Sequence, residues 1–288
     1  MAARSEEMKE LVKHNVYNKV PLSKCWEATG KAPIRVRWVD VNKGDKIHPD
    51  YRSRLVAKEI KIDKREDLFA ATPPLGSKKL LFSWAVTEGI GYVKGQKKKG
   101  MKLDLIDVRR AYFHAEARRQ VFVELCGEDA GKGMCGELVK AMYGTRDAAQ
   151  NWEVTYTAFM SEIGFVNGTC VFFHNEIELR IVVHGDDFTV LGHEENPNWF
   201  RQKISEKFEV KFRGKLGQEE KDQKSIIILN RVIEWTGAGV SYEADQRHAE
   251  IIVKHLRFEG ESRPTCTPGV KGVKGSEEEE KELGMLLD

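Results

Sequence analysis

The alternation of apolar and polar residues predicts a mixture of short strands and amphipathic helices. Residues 34–41 and 51–60 alternate with a period of two around a glycine-containing turn, which is typical of a β-hairpin. Helical spacing and end signals predict helices at residues 1–30, 77–90, 146–163, 196–208 and 242–258. Short apolar runs predict strands at residues 101–108, 120–125, 170–174, 178–183 and 225–235. We therefore expect an α+β fold with helices packed behind a small antiparallel sheet.

Composition narrows the class of protein. No apolar run reaches the roughly 18 residues that span a bilayer, and the first residues lack the apolar core of a secretory signal. The 5 cysteines contain no C-x-x-C pair, so reduced thiols inside the cell, in the cytoplasm, a particle or the nucleus, are expected. The net charge of +2 hides a basic stretch at residues 31–65 and an acidic one at residues 276–288. This asymmetry is compatible with a polyanionic partner.

Three carboxylates stand at the ends of apolar runs. Asp186 and Asp187 follow Gly185 inside the run LRIVVHGDDFTVLG, and Asp107 ends the run MKLDLID. Neighbouring strand residues point to opposite faces, so the two adjacent aspartates converge only if the backbone bends, which glycine permits. Gly-Asp-Asp is also an ordinary turn sequence. Here, however, Gly-Asp-Asp lies within a predicted strand run, and Asp107 ends a second such run. This arrangement favours a divalent-cation site over an ordinary turn. Asp104 lies on the opposite strand face from Asp107 and is expected to be structural.

Several motifs carry a resemblance to a known family. DVRRAYF (107–113), AMYGTRDAAQNW (141–152) and HGDD (184–187) resemble, in order and spacing, the palm motifs of reverse transcriptases, and the copia-type retrotransposon group is the nearest. RWVDVNKGD and YRSRLVAKE resemble that group's fingers hairpin. KFEVKFRGKLG (207–217) resembles its post-palm segment, and residues 241–258 with the later TCTPG resemble its thumb helix and the run beyond. The resemblance covers roughly residues 33–270.

The resemblance implies a right-hand polymerase fold of fingers, palm and thumb with a small antiparallel palm sheet. Its segments would be a lead-in at residues 1–32, fingers and palm at 33–224, a thumb-side segment at 225–270 and a disordered acidic tail at 271–288. The reaction would be RNA-directed DNA synthesis, the addition of dNTPs to the 3′-OH of a DNA primer on an RNA or DNA template. No membrane partner is implied, and other parts of a Pol polyprotein are possible partners.

The same resemblance assigns roles to individual residues. Asp107, Asp186 and Asp187 would be the catalytic carboxylates and would hold two Mg²⁺ ions, with Mn²⁺ as a substitute.

Four further positions would contact the substrate. Arg52 or Arg54 would clamp the triphosphate, and the sequence does not choose between them. Val108 would offer a backbone contact near the phosphates, and Tyr112 would exclude the ribose 2′-hydroxyl unless it is only a core aromatic. Asp147 stands where the family favours Gln, close to the incoming triphosphate.

The chain also departs from the family pattern. His184 and Gly185 replace an aromatic and an apolar residue before the paired aspartates, Ala149 replaces Pro, and Asn230 follows Leu229 where Leu-Gly is usual. These departures motivate an alternative, a co-opted retroelement remnant that binds nucleic acid without polymerising. A third hypothesis is another two-metal palm enzyme, such as a nucleotide cyclase.

Overall fold

The computed structural model describes residues 2–45, 47–60, 68–92, 94–95, 100–228, 231–244 and 246–256. The chain divides into two compact units, Met1–Tyr242 and Glu243–Asp288. The described part of the second unit contains one helix, on which Ile251, Ile252 and Val253 are exposed. The predicted acidic tail at residues 271–288, and the Leu229-Asn230 departure, lie outside the described residues.

Six helices and fourteen strands are assigned within the described residues. The helices are α1 (Ala2–Lys13), α2 (Leu22–Thr29), α3 (Leu75–Val86), α4 (Ala148–Glu162), α5 (Glu195–Lys207) and α6 (Gln246–His255). The strands are β1 (Tyr17–Pro21), β2 (Val36–Asn42), β3 (Tyr51–Ala57), β4 (Met101–Val108), β5 (Phe122–Val123), β6 (Met134–Leu138), β7 (Val166–Gly168), β8 (Val171–His174), β9 (Leu179–His184), β10 (Asp187–His193), β11 (Val210–Leu216), β12 (Ser225–Ile228), β13 (Arg231–Thr236) and β14 (Gly239–Ala244).

The centre of the first unit is a six-stranded sheet in the order β11-β4-β10-β9-β8-β7. Its paired strands are all antiparallel. On one face, α4 and α5 contribute aromatic and aliphatic side chains, among them Trp152, Tyr156 and Phe200, to the largest buried cluster. On the other face, α3 and the β12-β13-β14 sheet form a second cluster around Leu105 and Trp235. The sheet is thus covered on both sides, which explains its nearly continuous apolar strands.

The pleat of β4 separates its two aspartates. Ile106 and Val108 belong to the cluster under α4 and α5, whereas Leu103 and Leu105 belong to the cluster under α3. Because successive residues alternate faces, the strand carries Asp104 towards α5 and Asp107 towards the opposite face. Asp104 is 0% exposed and accepts two hydrogen bonds of 2.6 Å from Arg201 of α5. It is a structural residue, as the alternation predicted.

Three smaller sheets complete the unit. β2 and β3 form the predicted hairpin, β12, β13 and β14 form a three-stranded sheet, and β1, β6 and β5 form another. The α+β class with antiparallel sheets is confirmed. The single strand expected at residues 225–235 is wrong, because β12 and β13 pair antiparallel with each other. The helix expected from residue 242 starts at Gln246, since β14 continues to Ala244.

None of the described helices is both long enough and apolar enough to span a membrane.

The buried Asp104–Arg201 pair supports a prediction about stability. Arg201→Met removes the guanidinium, which lies over the ring of Phe212, and leaves the fully buried carboxylate of Asp104 without its cation. We expect the free energy of unfolding in urea to fall by about 3 kcal/mol, because an unpaired buried charge is costly.

The matched control is Lys203→Met on the same helix, whose ammonium is partly exposed and pairs with Glu206. It should change the free energy of unfolding by less than about 0.5 kcal/mol. Equal, small effects of the two substitutions would contradict the structural role of Asp104.

Candidate active site

The three carboxylates meet at the edge of the central sheet. β9 and β10 are joined by a two-residue turn, Gly185-Asp186, and Asp187 begins β10 directly opposite Asp107 of β4. Gly185 has a φ of 63°, a left-handed conformation that glycine adopts without strain. The sharp turn therefore lets two adjacent aspartates face one site, as the position of Gly185 predicted.

Two hydrogen bonds fix the turn. Trp152 Nε1 of α4 donates to the carbonyl of Gly185 at 2.8 Å, and the N–H of Val108 donates to the carbonyl of Asp186 at 2.9 Å. The N–H of Val108 is therefore already engaged. This N–H holds the carboxylate turn against β4, and the predicted backbone contact of Val108 near the phosphates stays a prediction.

The carboxylates of Asp107, Asp186 and Asp187 lie close enough together for their charges to interact. Burial, followed by the charges of Asp186 and Asp107, raises the pKa of Asp187 to about 6. Asp186 reaches solvent at the turn, yet the protein atoms around it still displace enough water to raise its pKa, and Asp107 adds to that effect. Burial is the larger cause of both shifts, and the neighbouring carboxylates add to it.

Arg213 is the cation nearest to this charge. β11 pairs with β4, but its register shifts between Phe212 and Gly214, so Arg213 is the extra residue of a β-bulge. The bulge directs its guanidinium to Asp107, with which it forms an ion pair. Burial lowers the pKa of Arg213, but the hydrogen bond and charge of Asp107 outweigh it, and the charges of Asp187 and Asp186 raise this pKa further.

A buried lysine faces the same carboxylates from α3. Lys78 is 8% exposed, and its Nζ is among the buried polar atoms of the described residues that lack a hydrogen-bond partner. Burial lowers the pKa of Lys78, whereas the charge of Asp187 raises it. Burial and the charge of Lys78 lower the pKa of His184, which therefore adds no positive charge at neutral pH.

A basic cleft of about 500 Å³ opens beside Asp107. Its walls include Arg52 and Arg54 of β3, which share one face of the strand, together with Arg109, Arg110, Lys211 and Arg213. Arg54 also packs over the ring of Tyr143 at 4.6 Å, and its charge lowers the pKa of Asp186. Both predicted arginines therefore line the cleft.

Tyr112 lies in a short 3-10 helix just after β4. Its ring is half-buried and contacts Tyr143 with a centroid distance of 4.9 Å. Burial and the charge of Asp186 raise its pKa, which places the phenol close to the carboxylate turn. The predicted role of Tyr112 beside the 2′ position of the sugar stays a prediction.

Asp147 has a different environment from the one expected. It is 3% exposed, and its two oxygens accept hydrogen bonds from Arg119 and Asn151 at 2.7 and 3.1 Å. Arg119 also pairs with Glu59, which accepts a hydrogen bond from the N–H of Arg146. The predicted contact between Asp147 and the substrate is thus corrected to a positioning role, which links the start of α4 to the end of the β3 hairpin.

Sequence reasoning overlooked Arg213, Lys78 and Trp152. Lys78 reads as a surface lysine on an amphipathic helix, and the pattern of β11 does not reveal a bulge. Their roles depend on which strands and helices become neighbours.

The donor set fits hard divalent cations. Three carboxylates supply oxygen ligands, the type that Mg²⁺ and Mn²⁺ prefer. Burial and the neighbouring carboxylates raise the pKa values of Asp186 and Asp187, and a bound cation would favour their charged forms.

Comparison with known proteins identifies related sequences. The model of the family described as reverse transcriptase (RNA-dependent DNA polymerase) matches residues 15–221. The chain is 26% identical over 206 residues to the retrovirus-related Pol polyprotein from transposon TNT 1-94 of Nicotiana tabacum, which corresponds to 67% of this chain and 14% of that polyprotein. It is similar, with 10% identity and a TM-score of 0.45, to the foamy viral protease-reverse transcriptase in complex with double-stranded DNA, over 86% of this chain and 36% of that one.

The raised pKa of Asp187 generates a prediction about pH. An aspartate with a pKa of 3.8 in the unfolded chain and about 6 in the folded protein binds more protons when folded between these values. The free energy of unfolding of the metal-free protein should therefore fall as the pH rises through this window. Asp187→Asn should raise it by about 1–2 kcal/mol near neutral pH and change it little below about pH 4.

Urea unfolding in EDTA at several pH values measures this effect. Glu176→Gln, which removes an exposed acid in the turn before β9, is the control and should leave the pH dependence unchanged. A loss of stability in Asp187→Asn at neutral pH would contradict the electrostatic account.

Proposed function

The chain belongs to the reverse transcriptase (RNA-dependent DNA polymerase) family, and from this we propose that it extends a DNA primer on an RNA template by adding dNTPs. The family expected from the sequence motifs, the reverse transcriptase domain of copia-type Pol polyproteins, is confirmed. The chain spans 14% of the length of the curated relative that it matches. The activity of such a polyprotein as a whole is not assigned to it.

The observation that carries the proposal is the convergence of Asp107, Asp186 and Asp187 beside a basic cleft. The register places Asp107 opposite Asp187, and the Gly185 turn adds Asp186. Members of this family generally use divalent metal ions. We propose that these three residues hold two Mg²⁺ ions, which would activate the primer hydroxyl and stabilise the leaving pyrophosphate.

Side chains of the cleft would bind and position the incoming nucleotide. Arg54, fixed on Tyr143, supplies positive charge for the triphosphate, and Arg52 on the same strand face adds to it. Arg213 neutralises Asp107 before substrate arrives and lies in reach of anionic groups in the same cleft. Tyr112, half-buried against Tyr143, would limit the space beside the sugar and so exclude ribonucleotides.

The right-hand arrangement belongs to the same proposal. The six-stranded sheet would be the palm, the β2–β3 hairpin part of the fingers, and α6 the thumb helix. Template and primer would bind through backbone phosphates without sequence preference, so that binding weakens steeply with added salt.

We expect the purified chain to extend a DNA primer on an RNA template in the presence of Mg²⁺. Asp186→Asn should lower the rate constant of a single addition by about 10³-fold or more, because a metal ligand supplies several kcal/mol of transition-state stabilisation. Rapid-quench primer extension measures this rate, and fluorescence anisotropy of the labelled duplex measures binding separately.

Glu176→Gln is again the matched control, since it removes an acid outside the carboxylate site, and it should extend primers at the wild-type rate. Undiminished extension by Asp186→Asn would refute the metal assignment. Duplex binding without any incorporation by the wild-type chain would select the alternative, a remnant that binds nucleic acid without polymerising. Turnover of nucleoside triphosphates without a template would instead favour a cyclase-like enzyme.

A further inference from the structure

A second group of metal-ligating side chains lies where the end of α1 meets the residue before β11. Glu10 and His14 are four residues apart on the last turn of α1 and just after it, so their side chains fall on the same side. Glu209 reaches the same place from the segment between α5 and β11. Nothing in the proposed polymerase chemistry uses these three residues.

The distances fit a single ion. His14 Nε2 lies 3.5 Å from Glu10 Oε2 and 3.9 Å from Glu209 Oε2. One ligand atom from each of the three residues lies within 4.8 Å of the others. A tetrahedral zinc ion with bonds of about 2.0–2.2 Å separates its ligands by about 3.3 Å. Side-chain adjustments of a few tenths of an ångström to about 1 Å therefore bring the three atoms into coordination distance.

The imidazole of His14 has a ring nitrogen that is free to bind a metal ion. Among the described residues, His14 Nε2 is a buried atom without a hydrogen-bond partner, although the His14 side chain as a whole is 12% exposed. A buried polar atom without a partner costs free energy that a bound ion would recover. Burial and the charge of Lys13 lower the pKa of His14, so that the ring is neutral and its nitrogen free to coordinate.

Without a metal ion, basic side chains neutralise Glu10 and Glu209. Lys13 Nζ lies 2.6 Å from Glu209 Oε2 and 3.4 Å from Glu10 Oε2, so an ammonium already neutralises both acids. Arg110 and Arg109 approach Glu10 and Glu209 at 3.6 and 3.5 Å. The Lys13 side chain is mostly exposed, so its ion pairs are weak and it can swing into solvent at little cost.

We propose that Glu10, His14 and Glu209 form a binding site for a divalent transition metal, Zn²⁺ in particular, that competes with the ammonium of Lys13. One imidazole nitrogen and two carboxylates suit zinc, and a water completes the tetrahedron. The C-terminal end of α1 adds a favourable dipole for a cation. The bound ion would join α1 to the residue that precedes β11, the strand that carries Arg213.

Isothermal titration of the full chain with Zn²⁺ in excess Mg²⁺ tests the site, because Mg²⁺ competes for the carboxylates around Asp107. We expect one Zn²⁺ per chain. His14→Gln should weaken its affinity by about 10–100-fold, as the loss of an ordering contact at a metal site does. Lys13→Ala should strengthen the affinity about 3–10-fold by removing the competing charge.

Two controls keep the outcome decisive. Lys9→Ala removes an exposed lysine one turn earlier on α1 and should leave the affinity unchanged. Unfolding midpoints in EDTA show whether each variant is folded, and Lys13→Ala, an exposed truncation, tests the site even if His14→Gln is unstable. The proposal would be overturned if no zinc binds. It would also be overturned if neither His14→Gln nor Lys13→Ala changes the affinity, as is expected when zinc binds to cysteines.

Discussion

Repulsion between Asp107 and Asp187 is the constraint on which this site depends. The antiparallel register of β4 and β10 places the two carboxylates directly opposite each other, an arrangement that destabilises a sheet. Asp186 at the adjoining turn adds a third charge. The fold offsets part of this repulsion with two cations, Arg213 from a bulge in β11 and Lys78 from inside α3. The remaining negative charge is what makes the site suited to metal ions.

The cations come from elements that pack on the carboxylates for other reasons. α3 lies on the sheet through an apolar cluster that includes Leu81 and Leu105, and this packing buries Lys78. β11 is held to β4 along most of its length, and the bulge at Arg213 turns one residue out of the regular alternation. The opposite face is closed by α4 and α5, and Trp152 reaches from there to the carboxylate turn. The helices that cover the two faces of the central sheet therefore form the core and also position the side chains of the site.

Periodicity alone predicted the parts of the fold that depend on local pattern. The alternation on β4 correctly separated Asp104 from Asp107, and Gly185 correctly marked the sharp turn between β9 and β10. The strand at residues 225–235 was predicted as one piece because most of its residues are apolar, although Asn230 and Arg231 interrupt the run. The chain nevertheless folds back on itself there, and β12 pairs with β13.

Long-range partners could not be predicted in this way. Asp147 looked like an acid exposed to substrate, and only its pairing with Arg119, 28 residues earlier, shows that it is buried and neutralised. Arg213 and His14 likewise acquire their roles from residues far away in the sequence. Sequence pattern specifies which face a side chain occupies, whereas the partner across that face is determined by the tertiary fold.

Mn²⁺ binding, followed by the loss of the free-ion signal in electron paramagnetic resonance, tests the central claim most directly. A His14→Gln background keeps the second site from contributing. If the carboxylates form a cation site in which Arg213 competes, Asp107→Asn should weaken binding by about tenfold or more, and Arg213→Ala should strengthen it. Mn²⁺ binding that neither substitution changes would show that the three carboxylates do not form a metal site.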